Sequence, residues 1–480
     1  MTKREAEVII IGSGAAGMMA GLVLANAGVK CIMLEKGSNI GACNACKAGG
    51  AAMAETDIQK EEDAFLSNEK LFNHMYGFSR GTVHAGLLRN AINEGKTVYD
   101  LYKKNGIGMT LRPDTYGVGF RARVAYDCSG VKRWQKLADD FLAHDGEIIF
   151  NQAGESLIQD ADGKVIGVIA VDDAGEKTEY YGANVIVATG GYLGNPDMQR
   201  KHFGDITVVP LGNTLSDGAG INMAIDAGGM EDRNWAICAN EFRSANHKVT
   251  GAPGIFYYGI CGGLLVDRFG DRFMNEQYLS DEPLSIGGEI SLREGSFYAV
   301  LDQEMQDALG KMTPYEFYGE PAEWNVGRLT LNNPAKCPKP EELEKGIEAG
   351  VVSVADDPQQ AGAFFGMARL GETVKAYNEM CAAGADTEFG KKPYLLKALK
   401  TPPYYVYEYE PSAWCTFGGV KTDAYCHLLD REQNIIPGVY VTGVDNGSCY
   451  TAPYYDNEGA TLGIALGTGV VAAKAILRER

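Results

Sequence analysis

The chain has 480 residues, enough for two ordinary domains or one large domain carrying an insertion. Its 44 basic and 63 acidic side chains leave a net charge of -19, which argues against nucleic acid or an anionic membrane as the main partner, because both require a basic footprint. Hydrophobic residues at 45% and charged residues at 22% suit a globular enzyme, and 61 glycines point to many tight turns and close backbone approaches.

The opening MTKREAEVIIIGSG reaches its apolar run only at Val8 to Ile11, too short for a signal-peptide core or a membrane span. No later stretch of about 18 apolar residues is expected to cross a membrane. The eleven cysteines are an odd, scattered set, which suits free thiols in a reducing cytoplasm. Cys43 and Cys46 form one C-x-x-C, but no second pair follows at zinc spacing, so they read as small residues on a turn and no metal is expected.

Residues 7 to 36, EVIIIGSGAAGMMAGLVLANAGVKCIMLEK, are the most informative segment. Val8 to Ile11 read as a buried parallel strand, the glycine turn follows at once, and a helical pattern runs from Met18 to Ala27 until Gly28 stops it. Lys30 to Leu34 then form a second strand that ends at Glu35. This is the βαβ unit in which Gly12, Gly14 and Gly17 let the backbone approach a pyrophosphate at a helix N-terminus, and Glu35 stands where an acid accepts from a ribose hydroxyl. An adenine dinucleotide follows, either NAD or FAD.

Further glycine elements come in order: Ala48-Gly49-Gly50, a buried strand running into Ala188-Thr189-Gly190, a loop-to-helix element opening at Asp217, and GVYVTGVDNGS with Gly443 and Asp445. The ordered set GSGAAG, LEK, AGG, ATGG, DGAG, GVYVTGVD and EGATLG resembles the fumarate reductase/succinate dehydrogenase flavoprotein family, which includes ketosteroid dehydrogenases and many anaerobic enoate reductases. The matching motifs run from residue 8 to about 470 and are weak only between about 300 and 400.

The resemblance implies an α/β fold: a Rossmann-like FAD-binding domain, split in sequence into residues 1–232 and 412–480, with an inserted α+β capping domain at 233–411. Polar helices near 341–349 and 358–383 and the proline-marked TPPYY at 401–405 fit such an insertion. By the same resemblance Gly12, Gly14, Ala15, Ala16 and Gly17 face the FAD pyrophosphate, Glu35 and Lys36 the adenosine, and Ala48, Gly49 and Gly50 the isoalloxazine. Ala188, Thr189, Gly190, Asp217 and Gly443 complete the cofactor set, with Asp445 near the ribityl chain. Gly459, Thr461 and Leu462 open the helix that supports the negative charge of the reduced flavin. Membrane-bound members attach FAD through a histidine six residues before the Gly-Gly; that position is Cys43, so non-covalent FAD is expected.

Fumarate reduction needs cations to clamp two carboxylates. The family's three cationic positions are neutral here: Ser280, Cys415 and Asn457. A dicarboxylate substrate would need a compensating arginine, for which Arg121, Arg123 and Arg243 are candidates. Ketosteroid dehydrogenases of the family instead carry Y-x-x-x-G before the last helix, and Tyr455 to Gly459 fits that pattern. In those enzymes this tyrosine and the glycine N–H polarise a ketone oxygen, so Tyr455 is the expected oxygen-binding phenol, with Tyr454 on the opposite face of an extended strand. Tyr278, Ser280 with water, Tyr454 and Tyr258 (beside Tyr257) are the other catalytic candidates. Asp281, Asp456 and Glu458 read as solvated loop charge or as carboxylates that orient a tyrosine. PPYYVYEYEPSAW, residues 402 to 414, is expected as a strand at the domain junction.

The expected reaction is reduction of a C=C bond or conjugated position next to a carbonyl or aryl group in a bulky ring substrate of ketosteroid or isoflavonoid/polyphenol type, by hydride transfer from flavin N5 with tyrosine-assisted protonation. The alternatives are a fumarate- or urocanate-like enoate reductase, or a 3-ketosteroid dehydrogenase working in the oxidising direction. The chain has no second G-x-G-x-x-G unit after a strand and no C-x-x-C-H haem motif, so an external electron donor is expected: a reductase, free flavin or NAD(P)H.

Overall fold

A computed structural model describes residues 2–114, 117–206, 208–238, 243–244, 263–278, 283–308, 311–312, 317 and 340–480. Tyr257, Tyr258, Ser280 and Asp281 lie outside the described residues, as does the side chain of Arg243.

Runs of four aliphatic residues buried on both faces are what a parallel sheet covered by helices demands. Val8–Ile11 is such a run; Cys31–Leu34 is fully buried but opens on a cysteine, and Asn184–Val187 opens on a half-buried asparagine before three buried aliphatic residues. They lie in a six-stranded sheet ordered His427–Leu429, Ile435–Val441, Asn184–Val187, Val8–Ile11, Cys31–Leu34, Glu147–Ile149. Ile10 stands opposite Met33 on one side and Ile186 on the other, and Ile186 opposite Tyr440. All these pairings are parallel except the outermost, His427–Leu429 with Ile435–Val441. Strands from the two ends of the chain therefore share one sheet. Their carboxyl ends, and the loops after Ile11, Leu34, Val187 and Val441, open on one edge, where ligands of such sheets bind.

Glycine lets two helices seat closely on backbone: one on the turn after strand Val8–Ile11, the other on strand Gly50–Ala52 and on helices Ala85–Asn93 and Ala15–Asn26. A Cβ on Gly17 of helix Ala15–Asn26 would lie 2.0 Å from the Gly12 carbonyl oxygen, so the helix seats directly on its own turn. In helix Ala460–Glu479, a Cβ on Gly463, Gly467 or Gly469 would come within 2.3 Å of the carbonyl oxygens of Ala52, Ala91 and Ala16 respectively. This last helix corrects one expectation. By length and composition it is apolar enough to cross a membrane, because Thr461, Thr468 and Lys474 interrupt its apolar character without cancelling it. Most of it is buried inside the protein, as in a core helix.

A second, antiparallel sheet holds Arg243–Ser244, Leu264–Val266, Phe297–Leu301, Val352–Ala355 and Tyr404–Glu410. Tyr404–Glu410 is its spine, pairing with Phe297–Leu301 and Val352–Ala355. Tyr405, Tyr407 and Tyr409 are buried in this sheet's core, and the Tyr405 and Tyr407 hydroxyls donate to Gln303 and Gln306 at 2.7 and 2.5 Å. They are packing residues. Helices Pro340–Glu348, Pro358–Ala363 and Leu370–Ala383 flank the sheet, and Gly366, at φ 80°, lies in the break between the last two. Beside it the side chains of Arg272, Glu276, Asp386 and Lys391 are all but fully buried as one charged cluster, in which Arg272 donates to both carboxylates at 2.7–2.8 Å. Removing one member would strand a buried charge, at a cost of several kcal/mol, about 3–5.

His202 lies flat on Trp235, ring centroids 3.3 Å apart, and its Nε2 has no hydrogen-bond partner. Burial first, then Lys201, lowers its pKa from 6.5 to about 4. The unfolded chain thus takes up this proton at higher pH than the folded one. The stability involved is complete above about pH 6.5 and is lost as pH falls toward 4. Thermal melts are expected to show a steeper loss of Tm across that window in the native protein than in His202→Phe, which keeps the stack and removes the titration.

Candidate functional site

The carboxyl edge of the six-stranded sheet opens into a cavity of about 960 Å³, near the top of the range of roughly 300–1,000 Å³ usual for ligand sites. Its walls come from every glycine element of the sequence. Gly12, Gly14, Ala15 and Ala16 present the start of helix Ala15–Asn26, and Glu35 and Lys36 follow the second strand. Cys43, Ala48, Gly49 and Gly50 form one side; Ala188, Thr189, Gly190, Asp217 and Gly443 form the floor; Gly459, Thr461 and Leu462 present the start of the final helix.

Two predicted cofactor residues, Gly17 and Asp445, are not on the cavity wall. Gly17 serves the helix packing described above. Asp445 is fully buried beneath the floor: its Oδ2 accepts from Thr189 N, Thr189 Oγ1 and Gly190 N at 2.5, 2.9 and 3.3 Å, and its Oδ1 from Gly191 N at 2.7 Å. Burial raises its pKa against these donors. Glu35 is held the same way, Oε2 accepting from Ser13 N and Oγ at 3.0 and 2.6 Å and Oε1 from Gly37 N at 2.6 Å.

These features fit an adenine dinucleotide. The 12-residue helix opens on the cavity with no acid in its first turn, so its exposed N–H groups and dipole face the space unneutralised. A Cβ at Gly14 would meet only Cys43, at 3.9 Å, which leaves the backbone there open to a phosphate. Among the described residues no cluster of ligating side chains suits a metal ion.

At the end bounded by the final helix the wall is aromatic and thiol-bearing: Cys238, Trp414, Cys415 and Tyr454, with Arg123 and Glu458 beside them. Cys238 and Cys415 face each other across an antiparallel pair, and the Cys238 thiol's hydrogen bond, then burial, holds the Cys415 thiol well above its ordinary range. Tyr454 stacks on Phe417 at 4.8 Å and caps the final helix: its hydroxyl oxygen accepts from Thr461 N at 2.8 Å and lies 2.5 Å from Thr461 Oγ1. Burial raises its pKa well above 10, so it stays protonated at neutral pH.

The two neighbouring tyrosines exchange the places expected of them. The segment is not an extended strand, and Ala452–Pro453 is a cis peptide. Tyr454 lines the cavity, whereas Tyr455 is fully buried off the wall and donates to the Cys449 carbonyl at 2.9 Å. Tyr278 is 57% exposed and does not line the cavity. Asp456 pairs with His74 at 2.8 Å rather than with a tyrosine. Asn457 is 1% exposed with neither amide atom partnered.

Among the described residues the cavity-lining cations are Lys36, Lys47, Arg112 and Arg123. Lys36 pairs with Asp217 at 2.6 Å, Arg123 with Glu458 at 2.5 Å, and Lys47 donates to the Gly212 carbonyl at 2.9 Å. Arg112 has no ion pair among the described residues. Arg121 is off the wall, paired with Glu62. Sequence reasoning missed Cys238, Arg112 and Trp414. The first two carry no local motif and reach the cavity only through strand pairing, while Trp414 was signalled by its adjacency to Cys415.

The FAD binding domain family model matches residues 7–462. The vinyl phenol reductase of Lactiplantibacillus plantarum is 24% identical over 96% of this chain and 94% of its own length. The cytochrome-type fumarate reductase of Shewanella frigidimarina is 26% identical over 93% and 73%. Among solved structures, the 3-ketosteroid Δ1-dehydrogenase of Sterolibacterium denitrificans, 18% identical, covers 99% of this chain and all of its own with a TM-score of 0.75, and so shares the fold. The chain belongs to the FAD binding domain family, as an FAD-dependent oxidoreductase of the fumarate reductase group.

Proposed function

We propose that this enzyme reduces a C=C bond conjugated to an aryl group or a ring carbonyl in a largely apolar substrate. The observation that carries the reading is the end wall of the cavity, where Tyr454, Trp414, Cys238 and Cys415 stand and where Arg123, which also lines the cavity, is neutralised by Glu458. With the cations of the described residues alone, a dicarboxylate brought there would lose its hydration without gaining two free cations. The likeness to a vinyl phenol reductase supports the same substrate type.

In this reading residues 1–232 and 412–480 form one Rossmann-like FAD-binding domain, and 233–411 an inserted α+β cap over the substrate. The sharing of one sheet by strands from both ends of the chain supports the split. The start of helix Ala15–Asn26 holds the pyrophosphate, Glu35 the ribose, and the Ala48–Gly50 and Gly459–Leu462 segments the flavin ring. FAD supplies the two-electron reduction when bound, and an external donor recharges it. Tyr454 supplies a hydrogen bond to the substrate oxygen and stabilises charge developing there. Thr461 orients it by donating its N–H to the phenol oxygen, which leaves the hydroxyl proton free to turn between Thr461 Oγ1 and the substrate. The thiols and Trp414 exclude water.

Arg112, exposed on the cavity lining and without an ion pair among the described residues, favours a second reading, a monocarboxylate enoate as substrate. The two separate when the flavin is reduced anaerobically and mixed in turn with a vinyl phenol, a cyclic enone, urocanate and fumarate. Return of the oxidised spectrum is expected with the first two. Rapid reoxidation by fumarate would overturn the proposal, and reoxidation by urocanate alone would favour Arg112.

With Cys43 in place of histidine, the flavin is held without a covalent bond. Acid precipitation is expected to leave all of the flavin in the supernatant; yellow protein in the pellet would contradict this. Tyr454→Phe should retain FAD and lower turnover at least about tenfold. Tyr455→Phe, which loses only a hydrogen bond to Cys449, should change turnover by less than about threefold. The reverse ranking in steady-state assays would return the oxygen-binding role to Tyr455.

A further inference from the structure

The two cysteines that the sequence offers as turn residues are in contact. The single 3-10 turn Asn44–Cys46 brings the Cys43 and Cys46 sulfurs to 3.6 Å, with the Cys43 thiol donating to Cys46 Sγ, and neither is in a disulfide. Cys43 is 7% exposed and lines the cofactor cavity, while Cys46 is partly exposed and is not part of the cavity lining.

An uncompensated cation lies under the same turn. Arg133 is 2% exposed; its Nη2 donates to the carbonyls of Ala45 and Ala48 at 2.6 and 3.2 Å, its guanidinium stacks on Tyr126 at 3.9 Å, and its Nε has no partner. Among the described residues no carboxylate pairs with it. Of the acidic groups beside it, burial pushes the Tyr126 phenol up to about 12, which leaves the Cys46 thiol as the one that Arg133 can help to ionise. The hydrogen bond from Cys43 lowers the Cys46 pKa, burial opposes this, Arg133 lowers it further, and Glu35 opposes. The contrast with the other buried thiols is sharp: burial pushes Cys31 up to about 12 and Cys426 well above its ordinary value, leaving them inert.

We propose that Cys43 and Cys46 are a redox-active dithiol, closing to an intramolecular disulfide by exchange with a low-molecular-weight disulfide. The Cys46 thiolate attacks one sulfur of the small disulfide, forming a mixed disulfide and releasing one thiolate. Cys43 then loses its proton, its sulfur attacks Cys46 Sγ, and the second small thiolate leaves. Two protein thiols are oxidised, one small disulfide is reduced to two thiols, and no other oxidant is required. Closure shortens the sulfur separation to about 2.05 Å and so moves Cys43, a residue of the cavity wall. Neither residue is used in this way by the proposed reduction.

The test is covalent and independent of flavin loading or turnover. The purified holoprotein is incubated without oxygen in oxidised glutathione, capped with N-ethylmaleimide, digested and mapped by mass. Native protein should yield a Cys43–Cys46 peptide lighter by two hydrogens and uncapped. Cys43→Ser, which keeps a hydrogen-bond donor to Cys46, should stop at the mixed disulfide and carry glutathione on Cys46. Cys46→Ser should show neither product, and Cys43 should be capped by maleimide or remain unmodified. If native protein keeps both thiols capped under conditions that modify Cys128, the proposal fails. It fails equally if Cys43→Ser, or Cys43→Ala should the serine variant not fold, carries no adduct on Cys46.

Discussion

One buried carboxylate holds the frame of the site. Asp445 lies in the loop after strand Ile435–Val441, yet the groups that donate to its carboxylate belong to the turn after strand Asn184–Val187, more than 250 residues earlier. Thr189 Oγ1, which donates to it, also accepts from Gly220 N, so the start of helix Ala219–Asp226 joins the same knot. A carboxylate without water must have its lone pairs satisfied or lose its charge. The turn Thr189–Gly191 meets that demand only in a conformation with φ of 93° at Gly190 and 83° at Gly191, which glycine adopts without strain. The cavity floor is thus set by the needs of a charge that never reaches the cavity.

The wall opposite depends on close packing. Glycines at every fourth position of the final helix let its backbone lie on the carbonyls of Ala52 and Ala91, which brings Gly459 and Thr461 to the cavity edge. The cap at the start of this helix is a phenol in place of the usual Ser, Thr, Asp or Asn side chain. Because Tyr454 spans from the helix start to the aromatic stack on Phe417, one side chain satisfies a backbone donor, packs, and presents an oxygen to the cavity. Of the positions that the resemblance makes cationic, Ser280, Cys415 and Asn457 are neutral here, and Arg123, on the cavity wall, is held by its own glutamate.

Much of the frame was legible in local sequence, because each element had a local physical cause. The strands at residues 8–11, 31–34 and 184–187 are short, mainly apolar runs with a glycine or an acid within three residues of their ends, and the residues after them line the cavity. The tyrosine-rich run 402–414 was legible as a strand but not as the spine of a second sheet, since both of its faces are covered by partners distant in sequence. The final helix was under-read because three polar residues hide an apolar character that the packing reveals.

By itself the sequence determined the dinucleotide-binding turn, the glycine segments of the cavity wall and the loss of carboxylate-clamping cations, because these rest on residue identity and short spacing. Only the tertiary structure decided which of two adjacent tyrosines meets the cavity, that Asp445 ties loops together beneath it, and that Arg123 is neutralised by Glu458. The physical reason is common to all three: a side chain's direction, its partner and its remaining charge are set by neighbours that chain order does not bring near.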